Sequence, residues 1–283
     1  MPNFDAPDGS RLVFDDEGPR DGAAPPVLCL AGLTRDARDF RGLAAHLTPD
    51  RRVVRLDARG RGRSAWAKDP MKEYTLPVEV GDAIALLDHL EIAHAVVIGT
   101  SRGGLQAMGI AAGAKDRLAG VILNDIGPVV ETAGLEAIMA YIGRQPEAKD
   151  RAGAARALSV SMARHYPDFG AADWYALAGD LFVFDKDGRP MLSYDPSLAE
   201  PVKAAFGTPQ PDLWPLFDAF EGVPLACIRG AHSDILSAET LAEMARRRPD
   251  MAHVTLADRG HVPLLTEPEA VALIDRFLDR CAS

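Results

Sequence analysis

Ala95-Val96-Val97-Ile98-Gly99-Thr100-Ser101-Arg102-Gly103 is the stretch that decides the fold. Its mostly β-branched start suits a strand buried on both faces of a parallel sheet. Residues 105–112, rich in Leu, Ala and Met, suit a helix. Between them, G-x-S-x-G reads as a nucleophile elbow, a serine held on a sharp strand-to-helix turn. A side chain at Gly99 or Gly103 is expected to collide with the neighbouring strand or helix.

A serine nucleophile needs a base, and the base an orienting carboxylate. In the usual chain order of this motif both follow the serine. Of the histidines after Ser101, His261 lies in Asp258-Arg259-Gly260-His261-Val262-Pro263, past a strand-like alternation at residues 252–256. That places it at the C-terminal sheet edge, where α/β proteins carry their chemistry. His253 sits inside that strand pattern, His232 reads as a loop residue without a catalytic role, and His165 falls in a helical stretch far from any sheet edge. Asp234, after the strand Leu225-Ala226-Cys227-Ile228, is the favoured acid. It is freed from helix capping because Ser237 stands directly before the helical run 238–247 and can cap it. Asp125, after Val121-Ile122-Leu123-Asn124, is the alternative acid.

These blocks, with Leu30-Ala31-Gly32-Leu33, Asp57-Ala58-Arg59-Gly60-Arg61-Gly62-Arg63-Ser64 and Asn124-Asp125-Ile126-Gly127-Pro128, resemble the α/β-hydrolase fold superfamily over nearly the whole chain. The likeness is to small serine esterase-like and carbon–carbon-bond hydrolase members. It implies an α/β fold with a mostly parallel central sheet of about eight strands flanked by helices. It also implies a mainly helical lid after the sixth strand, and an oxyanion hole from the backbone N–H groups of Leu33 and Arg102. Where the family often has His-Gly, this chain has Ala31-Gly32. A serine at position 101, where epoxide hydrolases and haloalkane dehalogenases would have aspartate, argues against those chemistries.

Strand-like runs alternate with helical ones, as in a parallel sheet, beginning at residues 11–14. The alternation breaks at residues 128–222, which read as the lid, leaving 1–127 and 223–283 as the core domain. Within it, helical pieces are expected at 134–142, 148–163 and 171–178, and a hairpin about Asp187-Gly188. As a group its aromatic residues, Tyr141 among them, imply an apolar substrate pocket, with Trp174, Tyr175 and Trp214 singled out.

The 283 residues are 47% hydrophobic, enough for a large core and too many for a disordered chain. No apolar run approaches the ~20 residues that span a bilayer, and the first residues lack the pattern of a signal peptide. Three cysteines without metal-ligand spacing fit a reducing cytoplasm. A net charge of −10 argues against nucleic acid. The arginines at 59, 61 and 63 read as a Gly-rich turn pairing with acids and carbonyls, and the glycines match no phosphate or dinucleotide loop.

The expectation is a cofactor-independent, metal-free serine carboxylesterase acting on a small ester, lactones included, with self-association left open. Hydrolysis of carbon–carbon bonds in vinylogous diketones by the same triad is the enzymatic alternative. A small-ligand receptor on the same scaffold is the non-enzymatic one.

Overall fold

The computed structural model describes residues 1–282. Ten strands form in chain order: β1 (Asn3–Asp5), β2 (Arg11–Glu17), β3 (Val27–Leu30), β4 (Val53–Asp57), β5 (Ala95–Thr100), β6 (Leu118–Asn124), β7 (Phe182–Phe184), β8 (Pro190–Leu192), β9 (Leu225–Gly230) and β10 (Ala252–Leu256). Eight of them make one sheet, ordered β1-β2-β4-β3-β5-β6-β9-β10. The β1/β2 and β2/β4 pairs are antiparallel and all the others parallel. The sheet therefore begins eight residues earlier than the sequence suggested, at Asn3 instead of Arg11. Phe4 is the one buried residue of that three-residue strand, so it carries no readable alternation.

The central strands β3, β4 and β5 are buried along their whole length, as a sheet covered on both faces requires. Alternate residues sort to the two faces. Leu28, Leu30, Val54, Leu56 and Val97 join Leu86, Leu87, Ala107 and Met108, from the helices Leu76–His89 and Arg102–Gly113, in one core. Val27, Cys29, Val53, Val96 and Ile98 join Leu43, Leu273, Ile274 and Phe277, from Arg41–Leu47 and Pro268–Cys281, in the other.

Residues between β6 and β9 leave the sheet. They form helices Thr132–Tyr141, Arg151–Ser161, Ala171–Leu181 and Ala199–Ala205, and the β7–β8 hairpin, which turns at Gly188 with φ +79°. Their apolar residues make small clusters of their own, one about Tyr166, Trp174 and Leu177, another about Ile142, Tyr194 and Leu198. The helix Trp214–Asp218 belongs elsewhere: Phe217 and Phe220 are buried in the core of the sheet. Among the described residues no helix is long and apolar enough to cross a membrane.

Candidate active site

Ser101 stands between the end of β5 and the helix Arg102–Gly113, with φ 51° and ψ −115°. A non-glycine residue held there costs of order 1–3 kcal/mol and persists only where the surroundings enforce it. The surroundings here are tight. A Cβ on Gly99 would lie 2.5 Å from the Gly103 carbonyl oxygen, and one on Gly103 would overlap the Leu30 carbonyl. The expected collisions at both glycines are thus present.

His261 comes from the loop after β10. Its Nε2 lies 3.1 Å from Ser101 Oγ, and its Nδ1 lies 2.7 Å from an oxygen of Asp125. The carboxylate facing the histidine is therefore that of Asp125, not Asp234. Asp125 is fully buried, at φ 56°. Its Oδ1 accepts from Gly230 N–H at 2.9 Å, and its Oδ2 accepts from Ser233 Oγ at 2.6 Å. Ser233 in turn accepts from the N–H groups of Ile235 and Leu236. The loop after β9 thus supplies the donors that cradle the carboxylate, and the carboxylate itself comes from the adjacent strand end. The pairing of Asn124 with Ile228 brings the two ends together. Asp234 points elsewhere and accepts from Arg164. Ser237 caps the helix Ala238–Arg247, accepting from Thr240 N–H, so the capping expectation agrees with the geometry.

His165 differs most from its sequence reading. It is buried beside the catalytic-loop candidate: His261 N–H donates to its Nδ1 at 3.2 Å, and Gly260 N–H to its carbonyl at 2.7 Å. Its position in a helical stretch gave no sign of this, because the contact spans 96 residues of chain. His232 is exposed and touches the loop through its backbone N–H, which donates to Arg259 O.

Arg102 directly, and Leu33 by way of Arg61, are tied to one buried carboxylate, which the sequence did not single out. Glu79 accepts from Arg61 Nη1 at 2.7 Å and from Arg102 Nε at 2.6 Å, and Arg61 Nε donates to the Leu33 carbonyl at 2.8 Å. Burial alone would raise the Glu79 pKa, but the two guanidinium groups outweigh it and hold the carboxyl below its ordinary range. Arg59 makes a bidentate pair with Asp82, and Arg63 pairs with Asp57 and Asp15. The Gly-rich turn is thus an internal ion-pair network, as read. The Arg102 N–H stands at the first position of its helix, where no intrahelical acceptor exists.

The three singled-out aromatic residues each lie in a different set of contacts. Trp174 is 6% exposed in a cluster with Tyr166 and Phe169. Tyr175 is 46% exposed under the Arg151 guanidinium. Trp214 packs on Phe217 beneath Arg247. Each has packing partners of its own, which composition could not reveal. Tyr141 is the aromatic residue in better position. It is half-exposed, and its hydroxyl lies near Thr34, next to Leu33, and faces Arg35 and Asp234. Burial raises its pKa. Among the described residues no group of three His, Cys, Asp or Glu side chains is placed to hold a metal ion.

Residues 27–272 match the model of the alpha/beta hydrolase family. The 3-hydroxybutyrate-oligomer hydrolase of Cupriavidus necator is 36% identical over 278 residues, covering 94% of this chain and 92% of that protein. The 2-(acetamidomethylene)succinate hydrolase of Mesorhizobium japonicum is 27% identical, covering 91% of this chain and 89% of that one. Among solved structures, an alpha/beta hydrolase from Novosphingobium aromaticivorans superposes with a TM-score of 0.92 at 46% identity, over 99% of this chain and 97% of that one.

Proposed function

The chain belongs to the alpha/beta hydrolase family, and on that footing we propose that it hydrolyses carboxylic esters through an acyl-enzyme on Ser101. The observation that carries this reading is the continuous contact from Ser101 Oγ through His261 to buried Asp125. His261 Nε2 takes the Ser101 proton as Oγ forms a bond to the ester carbonyl carbon. Asp125, held by Gly230 and Ser233, fixes the Nδ1–H tautomer and stabilises the imidazolium. Backbone N–H groups of Leu33 and Arg102 receive the oxyanion, each such donor being worth about 3 kcal/mol of transition-state stabilisation. The C–O bond to the alcohol breaks, and the alcohol leaves with the proton from His261. Water then gives a proton to His261, attacks the acyl carbon, and the acid departs as Ser101 regains its proton.

The likeness to the Cupriavidus hydrolase favours short ester oligomers of a hydroxy acid as substrate. The insertion after β6 serves as the lid, reaching the site through His165 and Tyr166. A fluorophosphonate probe should label Ser101 alone, and Ser101→Ala should abolish both labelling and turnover. The substrate panel is 3-hydroxybutyrate dimer and trimer, p-nitrophenyl esters, a lactone and a vinylogous diketone. Multiple turnover of the esters supports the reading. Turnover of the diketone alone would move it to carbon–carbon hydrolysis, and stoichiometric binding without turnover to a receptor.

A further inference from the structure

We propose that His165, a lid residue, is a positioning residue for the proposed base, its Nδ1 lone pair fixing the backbone of His261. This rests on the hydrolase reading above.

Two consecutive residues of the insertion grip three consecutive residues of the loop after β10. The His165 carbonyl accepts from Gly260 N–H at 2.7 Å, and His165 Nδ1 accepts from His261 N–H at 3.2 Å. Tyr166 Oη donates to the Val262 carbonyl at 2.8 Å and lies 3.3 Å from Val262 N–H. The fit leaves no slack, since a Cβ on Gly260 would overlap the His165 ring. The other end of the loop is tied to the sheet, where Asn124 Nδ2 donates to the Pro263 carbonyl at 3.0 Å. The imidazole that must meet both Ser101 and Asp125 is thus carried on a loop clamped from both sides.

Chemistry decides which His165 nitrogen holds the lone pair. Two donors face the ring: His261 N–H at Nδ1, and Arg164 Nε at Nε2, 3.1 Å away. A neutral imidazole has one lone pair to give. Arg164 holds the Asp234 carboxylate through Nη2, and its side chain is exposed, so its Nε–H can turn to water, whereas the His261 N–H has no other acceptor among the described residues. The lone pair therefore belongs at Nδ1. The Nε2–H then faces Asp234 Oδ2 at 3.7 Å, an electrostatic contact longer than a hydrogen bond. The charged and titratable groups around the ring are Arg164, Asp234, His261 and Asp125. Burial, against the pull of Asp234, lowers the His165 pKa and keeps the ring neutral, so that Nδ1 can accept. Asp234, chosen from sequence as the partner of the catalytic histidine, is here a neighbour of the histidine behind it.

The test compares His165→Leu with His165→Asn. The Asn side-chain oxygen can take the place of Nδ1 and accept from the His261 N–H, while it neither titrates nor fills the ring volume. The readouts are the rate of fluorophosphonate labelling of Ser101, and kcat and KM on an ester turned over by the wild type. His165→Leu should slow labelling and lower kcat by about 10- to 100-fold, the scale of a slightly misplaced reacting group. KM should stay unchanged, and His165→Asn should recover most of the loss. A thermal melt checks that each variant is folded. Should His165→Leu not fold, His165→Asn is compared with His165→Asp, whose carboxylate still accepts, and with His165→Ser, which is too short to reach. Labelling that is equally fast in every folded variant would overturn the proposal. So would a loss confined to KM, or a loss that Asn fails to rescue. Wild-type protein that does not label at Ser101 would instead remove the serine-hydrolase reading, and this proposal with it.

Discussion

The sheet and the insertion are built to different standards. Strands β3 to β5 are buried residue after residue, and helices pack both faces of the sheet. The insertion consists of short helices around two small clusters, with Tyr141, Val160, Tyr175, Val183, Met191 and Phe206 on its surface. Ser101 and Asp125, both at positive φ, sit on the ends of adjacent sheet strands. Strain of that kind survives only where surrounding packing over-determines the backbone, so the sheet is the part able to hold it. The insertion touches the same site with few contacts, those of His165 and Tyr166 on the His261 loop. The comparison teaches that the residues proposed to react sit on the closely packed half, while the less densely packed half meets them through a handful of hydrogen bonds.

The largest expected effect tests the closely packed half. Asp125→Asn should lower kcat by about 10⁴-fold through the wrong imidazole tautomer. Asp234→Asn, removing a partner of Arg164, should lower kcat by less than about tenfold, the scale of one lost hydrogen bond. Steady-state kinetics on one ester decides between them. The reverse order would mean that the loop after β9 supplies the acid after all.

Next is the ion-pair hub beneath Leu33 and Arg102. Glu79→Gln breaks two buried charge pairs and should cost about 3 kcal/mol in urea unfolding. Its pH dependence is signed. The folded pKa of Glu79 lies below its ordinary value of 4.5, so its contribution is full above that pH and is lost as pH falls through the folded value. The stability gap between wild type and variant should therefore narrow below about pH 4.5. A gap that widens on acidification would show Glu79 to be protonated in the folded protein.

The smallest effect sharpens the account of the insertion. Tyr141→Ala should change the ratio of kcat/KM between short and long esters by about tenfold, the value of a modest pocket contact. Tyr175→Ala, on the surface beneath Arg151, should leave that ratio unchanged and shift stability by no more than about 0.5 kcal/mol. An effect at Tyr175 and none at Tyr141 would move the pocket from Tyr141 to the surface of the helix Ala171–Leu181 that carries Tyr175.

Much of the fold was legible because its signals are local. A β-branched run ending in Gly99-Thr100-Ser101-Arg102-Gly103 specifies strand, turn and helix within nine residues, and the side-chain collisions that demand glycine lie within the same motif or on the next strand. The hairpin about Gly188 and the capping role of Ser237 are local in the same sense. Strand β1 was missed because three residues with one buried side chain make no pattern.

The histidine's partner was not legible. β6 and β9 are neighbours whose C-terminal ends meet, and each is followed by an aspartate. Chain order allowed both and the capping argument favoured Asp234, but Gly230 and Ser233 turn their donors toward Asp125, while Asp234 is drawn to Arg164. A residue such as Asp at φ 56°, tolerated there better than most, was the signal in Asn124-Asp125-Ile126-Gly127-Pro128, visible only once the backbone was. The contacts of His165, and the tie from Glu79 through Arg61 to Leu33, join residues far apart in sequence.

By itself, then, the sequence determined the alternation of strands and helices, the strained serine and the loop that carries His261, because periodicity, propensity and turn chemistry act over a few residues. Only the tertiary structure decided which aspartate faces that histidine, which residues of the insertion approach it and what each aromatic packs against. Those choices depend on hydrogen-bond directions and distances of a few ångströms between segments that the order of the chain leaves unrelated.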